Sequence, residues 1–188
     1  MRTLFQLDNI YTDKGNGHTY YDIYTSIFEN RHYAKNIMEI GIREGGSLKL
    51  WLEYFPFAVV YGIDSDTECV HWHLLDPFTG RVMIKFANAY DRLTAESYGD
   101  KKFDIIIDDG SHTLEHQKCF IDYYFDLLKD DGVMIIEDIQ DIQYCDALYK
   151  CVPEKYRECV SVYDLRNRLG RYDDILFVID KKSKSLSK

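Results

Sequence analysis

Apolar residues fall along this chain in short runs separated by amphipathic stretches. Runs at 36–42, 59–63, 82–86, 103–107, 133–136 and 175–179 are of strand length. The central ones are apolar at consecutive positions, as in parallel strands covered on both faces. Between the runs, the spacing of apolar residues predicts helices at 47–54, 67–75, 91–98, 113–128 and 142–151. In the fourth of these, Phe120, Tyr123, Tyr124, Leu127 and Leu128 share one face. Strand and helix alternate throughout, which predicts an α/β fold with a Rossmann-like, doubly wound and mostly parallel sheet. The stretch 11–29 breaks this pattern: a glycine-rich turn, Asp13-Lys14-Gly15-Asn16-Gly17, leads into an aromatic helix carrying His18, Tyr20, Tyr21 and Tyr24. It is either an ordinary capping helix or a lid across the carboxyl edge of the sheet. The chain thus divides into an N-terminal lid segment (1–30), one folded domain (31–180) and a disordered, solvated basic tail (181–188).

Composition narrows the partners. A chain of 188 residues is large enough for one domain with its own core. The 32 acidic residues outnumber 23 basic ones, and a net charge of −9 argues against a nucleic-acid partner. No apolar run has the length of a membrane span or the form of a signal peptide, so a membrane partner is not expected. The 5 cysteines are irregularly spaced and contain no Cys-x-x-Cys pair, which points to reduced thiols and a cytoplasmic setting.

Candidate chemistry gathers at the ends of the expected strands. The first run closes in Glu39-Ile40-Gly41-Ile42-Arg43-Glu44-Gly45-Gly46-Ser47, a tight turn that opens onto a helix N-terminus and suits an anion. It matches neither the Walker motif nor Gly-x-Gly-x-x-Gly. Asp64 ends the second run, where an acid accepts ribose hydroxyls in nucleotide-binding folds or caps the next helix. The fourth run ends in Asp108-Asp109-Gly110-Ser111-His112 and the fifth in Glu137-Asp138. Carboxylates gathered this way need a cation or a proton to offset them, and an all-oxygen set suits Mg²⁺ better than Zn²⁺. Helix capping accounts for one acid per strand end, but poorly for adjacent pairs. His112, three residues past Asp109, is placed to act as a base beside such a metal. His112-Thr113-Leu114-Glu115-His116 also matches a zinc signature, but His112 falls in a turn and no third ligand is evident. His71 and His73 read as surface residues.

With these residues in view, the chain resembles a class I S-adenosylmethionine-dependent methyltransferase, and within that class the macrocin and mycinamicin type of sugar O-methyltransferase. The resemblance runs over nearly the whole chain. It is carried by Thr12-Asp13-Lys14-Gly15 with His18 and Tyr20, by Glu39 to Ser47 with Trp51, and by Gly62-Ile63-Asp64. Asp108 to His112, Glu137-Asp138 and the stretch from Asp164 to Asp174 complete it. It implies Mg²⁺ held by Asp109, Glu137 and Asp138, with His112 as general base and Asp109 catalytic with it. It also implies S-adenosylmethionine over the turn at Gly41, Ile42, Arg43 and Ser47, with Glu39 near the methionine amine and Asp64 at the ribose. Asn88 and Ala89 would reach the adenine, and Lys14, Ser65 and Asp108 join the cofactor-binding set. The implied activity is Mg²⁺-dependent methyl transfer to a sugar hydroxyl of a glycan or small glycoside, for example a deoxysugar such as rhamnose. The rivals are a catechol-type small-molecule O-methyltransferase and a non-catalytic S-adenosylmethionine-binding module. A homo-oligomer, or membership of a longer chain, stays open. Asp164, Arg166, Arg171 and Asp173 either shape the acceptor pocket or form a buried ion-pair network.

Overall fold

The computed structural model describes residues 3–7 and 12–182. Its core is a seven-stranded sheet in the order β3-β2-β1-β4-β5-β7-β6. The strands are β1 (Asn36–Ile40), β2 (Val59–Asp64), β3 (Val82–Phe86), β4 (Phe103–Asp108), β5 (Leu128–Ile136), β6 (Val160–Asp164) and β7 (Ile175–Asp180). Strands β1 to β5 pair in parallel, and β7 runs antiparallel between β5 and β6. The helices are α1 (Tyr21–Phe28), α2 (Gly46–Tyr54), α3 (Arg92–Glu96), α4 (Leu114–Tyr124), α5 (Tyr144–Cys151) and α6 (Arg166–Leu169). None among the described residues is long and apolar enough to cross a membrane.

The central strands are apolar at consecutive positions because each face of the sheet carries its own core. Ile37, Ile105, Ile107, Val133, Ile135 and Val178 pack with Trp51, Tyr24 and Phe28 on the α1/α2 side. Met38, Ile40, Ile106, Met134, Ile136 and Phe177 pack with Phe120 and Tyr124 on the other. This two-residue alternation also sets where the polar residues at the strand ends point.

Three expectations need correction. The stretch 67–75 is not a helix. It runs as irregular chain into short 3₁₀ turns at Trp72–Leu74 and Asp76–Phe78, where Pro77 cannot continue a helix and His71 N–H is bonded back to Glu44. Its apolar positions are satisfied without helix, since Val70 and Leu75 pack beside Gly45. Strand β6 was not expected. It is a half-exposed edge strand and lacks the continuous apolar run of the strands inside the sheet. Lys181, expected in a solvated tail, is buried. Its ammonium donates to the carbonyl oxygens of Phe125 and Leu128 at 3.4 and 3.1 Å and lies over the rings of Phe125 and Tyr156. Residues 183–188 lie outside the described residues, as do 1–2 and 8–11 of the N-terminal segment.

Candidate active site at the carboxyl edge of the sheet

The carboxyl ends of β1, β4 and β5 are stepped together by hydrogen bonds that continue the ladder past the strands. Asp109 N–H donates to the Ile40 carbonyl and Glu137 N–H to the Asp108 carbonyl, each at 2.9 Å. This approach depends on Gly41. Its φ is +79°, and a Cβ there would sit 2.0 Å from the carbonyl oxygen of Asp109. The turn that follows is pinned by Asp64, whose Oδ2 accepts the amides of Ile42 and Arg43 at 3.0 Å each. Gly45 then caps α2 with φ +86° and no side-chain bond, which leaves the first amides of that helix open.

Pleat alternation divides the carboxylates. Glu39, Asp109 and Glu137 turn to the α1/α2 side and Asp108 to the other. Asp108 is buried, accepts the Tyr90 hydroxyl at 2.7 Å through Oδ1, and has no partner for Oδ2. Burial pushes its carboxyl up to about 7, against the Tyr90 hydrogen bond. Glu39, on the interior face of a central strand, accepts from the Ser47 hydroxyl at 2.7 Å and the Trp51 indole at 3.1 Å. Burial raises its pKa too, opposed by the charge of Lys14.

The centre of the acidic group is filled by the N-terminal segment. Lys14 is fully buried, and its Nζ lies 2.7 Å from Asp109, 2.7 and 2.8 Å from the two oxygens of Glu137, and 3.2 Å from Glu39. Burial works against this charge, but Asp109, Glu137 and Glu39 outweigh it and hold the ammonium well above the usual lysine range. Tyr24 donates its hydroxyl to Glu137, and Tyr20 donates to Asp138 Oδ1 at 2.6 Å. His18 lies between Asp138 and Asp174, with nitrogens 3.5 and 3.3 Å from their oxygens. Burial drives the Glu137 carboxyl well up despite Lys14, and burial with repulsion from Asp109 raises Asp138.

A cleft of about 1050 Å³ opens beside this cluster. Gly41, Ile42, Arg43 and Ser47 line it along the turn, Asp64 and Ser65 at the end of β2, and Asn88 and Ala89 after β3. Asp109, His112 and Asp138 line it too, and ligand atoms of these three lie within 4.8 Å of one another. His112 and Asp138 both hold left-handed backbone, φ +56° and +54°, a conformation uncommon in non-glycine residues as a whole and more frequent for Asp and His. His112 Nε2 is 3.9 Å from Asp138 Oδ2.

Most of the expected site residues therefore converge, but four stand behind the cleft wall instead of on it. Lys14, expected on a cofactor, is an internal counter-ion. Glu39, expected beside a methionine amine, is fully buried with its oxygens turned to Ser47, Trp51 and Lys14. Asp108 faces Tyr90, and Glu137 spends both oxygens on Lys14 and Tyr24. Tyr90 and His116 line the cleft unforeseen, with rings stacked at 4.2 Å and Ser111 Oγ 2.5 Å from His116 Nδ1. Only the aromatic character of residue 90 beside Asn88-Ala89 hinted at this. Glu115 is exposed and paired with Lys118, and no metal-ligand group among the described residues joins it to His112 and His116. His71 and His73 are exposed, although His71 has Glu44 at 3.8 Å. Asp164 pairs with Arg166 and Arg171 with Asp173, each two residues apart; Asp173 is buried but Asp164, Arg166 and Arg171 are not, so the four do not form a buried network.

The strand order, with β7 antiparallel between β5 and β6, and the glycine turn and acid at the ends of β1 and β2 define a class I methyltransferase fold. Within that class the chain resembles sugar O-methyltransferases. It is 33% identical over 132 residues to the 8-demethyl-8-(2-methoxy-alpha-L-rhamnosyl)-tetracenomycin-C 3'-O-methyltransferase of Streptomyces olivaceus, covering 62% of this chain and 32% of that protein. It is 33% identical over 116 residues to the mycinamicin VI 2''-O-methyltransferase of Micromonospora griseorubida, covering 58% and 28%. The solved MycE methyltransferase of the mycinamycin pathway, in complex with Mg and SAH, superposes with a TM-score of 0.70 at 25% identity, over 95% of this chain and 54% of that one. The chain spans about a third of the length of these curated relatives. No family profile matches it.

Proposed function

We propose that this chain is the catalytic domain of a Mg²⁺- and S-adenosylmethionine-dependent O-methyltransferase that acts on a sugar hydroxyl of a small glycoside or glycan. The observation that carries the reading is the convergence of Asp109, His112 and Asp138 on the same cleft that Gly41 and Asp64 line. The residues fit both groups. Asp109 and Asp138 offer hard oxygen donors to the cleft, and Glu137 adds charge from behind them. Gly41 presents no side chain to the cleft, the first amides of α2 are uncapped, and Asp64, whose Oδ1 accepts the Asp66 amide at 3.0 Å, keeps further acceptor capacity for a ribose hydroxyl. Residues 31–180 form the methyltransferase unit in this reading, with the N-terminal segment as its cover. Residues Thr12, Asp13 and Asn16 reach the cleft and support that role. All five thiols are free, in keeping with a cytoplasmic enzyme.

When bound, Mg²⁺ supplies charge stabilisation for an ionising hydroxyl, and S-adenosylmethionine supplies the methyl group. The chain does the rest. His112 takes the proton from the acceptor oxygen, and the nearby Asp138 carboxylate stabilises the imidazolium that results. Tyr20 fixes Asp138 from the other side, and the left-handed backbone at His112 and Asp138 sets the direction of both side chains. Holding acceptor and cofactor in one cleft replaces an encounter with an alignment, which removes much of the entropic barrier.

The test begins with calorimetric binding of S-adenosylhomocysteine with and without Mg²⁺, followed by methyl transfer to panels of glycosides and catechols. Micromolar binding and metal-dependent transfer to glycosides are expected. Transfer only to catechols would move the substrate class, and no binding in either condition would overturn the proposal.

A further inference from the structure

Beyond β4 the chain leaves the sheet, and the short loop from Asp109 to Thr113, the cap of α4, carries His112. This loop rests on Tyr90, which comes from the turn after β3. The Tyr90 hydroxyl donates to Asp108 Oδ1 at 2.7 Å and accepts the Ser111 N–H at 3.2 Å. One oxygen therefore joins the last residue of β4 to the residue before His112. Gly110 makes the approach possible, since a Cβ there would lie 2.0 Å from the phenol oxygen. Ser111 is held a second time through Oγ, which lies 2.5 Å from His116 Nδ1, and the His116 ring stacks on the Tyr90 ring with the planes 10° apart. Tyr90 is fixed in its turn. Asn88 Oδ1 accepts the Tyr90 N–H at 3.0 Å, and the Tyr124 hydroxyl donates to the neighbouring Ala89 carbonyl at 2.7 Å.

We propose that Tyr90 is a positioning residue for His112: its hydroxyl pins the loop to the end of β4 and so sets where the proton acceptor stands in the cleft. A phenol suits this task because the same oxygen both donates and accepts. Ser111 directly precedes His112, so a shift of its amide is passed on along the backbone. A misplacement of about 1 Å at a reacting group costs about 10²-fold in rate, which makes a pin at this point matter to turnover. The Tyr90 ring lines the cleft beside Asn88 and Ala89, so the pin also ties that end of the cleft to the end where His112 stands. The inference rests on the methyltransferase reading of the cleft and on His112 as its proton acceptor.

Two measurements on the purified full chain test it. Amide hydrogen exchange followed by NMR reads the pin without any substrate. Ser111 is exposed, yet its amide is expected to be protected by about tenfold or more in the wild type. That protection is expected to vanish in Tyr90→Phe, which keeps the ring and its stack but has no hydroxyl. Steady-state methyl transfer to the glycoside that the acceptor panel selects reads the consequence. In Tyr90→Phe kcat is expected to fall by about tenfold to 10²-fold, while the KM for S-adenosylmethionine and the S-adenosylhomocysteine affinity stay within about twofold. An unchanged calorimetric stoichiometry for S-adenosylhomocysteine shows that the lost turnover is not lost folded protein. An unprotected Ser111 amide in the wild type refutes the pin, and that result needs no variant to fold. An unchanged kcat in Tyr90→Phe, or a loss carried by KM and S-adenosylhomocysteine affinity, refutes the positioning role. A wild type that transfers methyl to no glycoside or catechol overturns the reading of the cleft and the role of Tyr90 with it, whatever the exchange of Ser111.

Discussion

Asp108→Asn isolates the cost of burying a charge at the end of β4. Asp108 is buried with one oxygen unpartnered, and its carboxyl is pushed up to about 7 against the usual 3.8. Below about pH 4 the carboxyl is protonated in both folded and unfolded chains, and it contributes nothing to the pH dependence. Between about pH 4 and 7 the folded state holds a proton that the unfolded chain has released, so stability falls as pH rises. Above about pH 7 both states are ionised and the whole penalty is present. A difference of about three pH units corresponds to about 4 kcal/mol. Asparagine keeps an acceptor for the Tyr90 hydroxyl but cannot ionise. Its unpartnered amide adds a cost that does not vary with pH. The assay is urea unfolding of both proteins at intervals from pH 4 to pH 8, in the absence of metal. The stability of Asp108→Asn relative to wild type should rise by about 4 kcal/mol across that range, with most of the change between pH 5 and 7. Other titrating carboxylates cancel in the difference. A flat difference would show that Asp108 is not held protonated near neutrality, and the account of its burial would fail.

His112→Ala should lower methyl transfer by about 10²- to 10⁴-fold while S-adenosylhomocysteine affinity, measured by calorimetry, stays within error. Gly41→Ala places a Cβ 2.0 Å from the Asp109 carbonyl in a left-handed conformation, and a loss of about 3 kcal/mol or more in urea unfolding is expected, together with weakened Mn²⁺ binding. Tyr24→Phe deprives buried Glu137 of a hydroxyl donor and should cost about 1–3 kcal/mol in the same unfolding assay. An unchanged urea midpoint would mean that the bond contributes nothing.

Much of the sheet is a local property of the chain. Runs such as Ile105-Ile106-Ile107 can be satisfied only with apolar cover on both faces, so β1 to β5 and β7 are legible from the sequence. Edge strand β6 is not, because Val160-Ser161-Val162-Tyr163 buries too little to need a continuous run. The period of two also dictates that adjacent acids such as Asp108 and Asp109 part to opposite sides, and that Glu39 and Glu137 share a face. That the acids crowd at strand ends, and so require a cation or a proton to offset them, was equally readable from their spacing. Which cation goes where was decided only by tertiary structure. Lys14 reaches Asp109 across 95 residues and Glu137 across 123, and no periodicity or motif spacing encodes that meeting. It depends on closure of the N-terminal segment over the strand ends, where α1 packs Tyr24 and Phe28 against Trp51 and brings the turn ahead of it onto the acids. Strand pattern follows from neighbours along the chain, whereas charge compensation follows from neighbours in space.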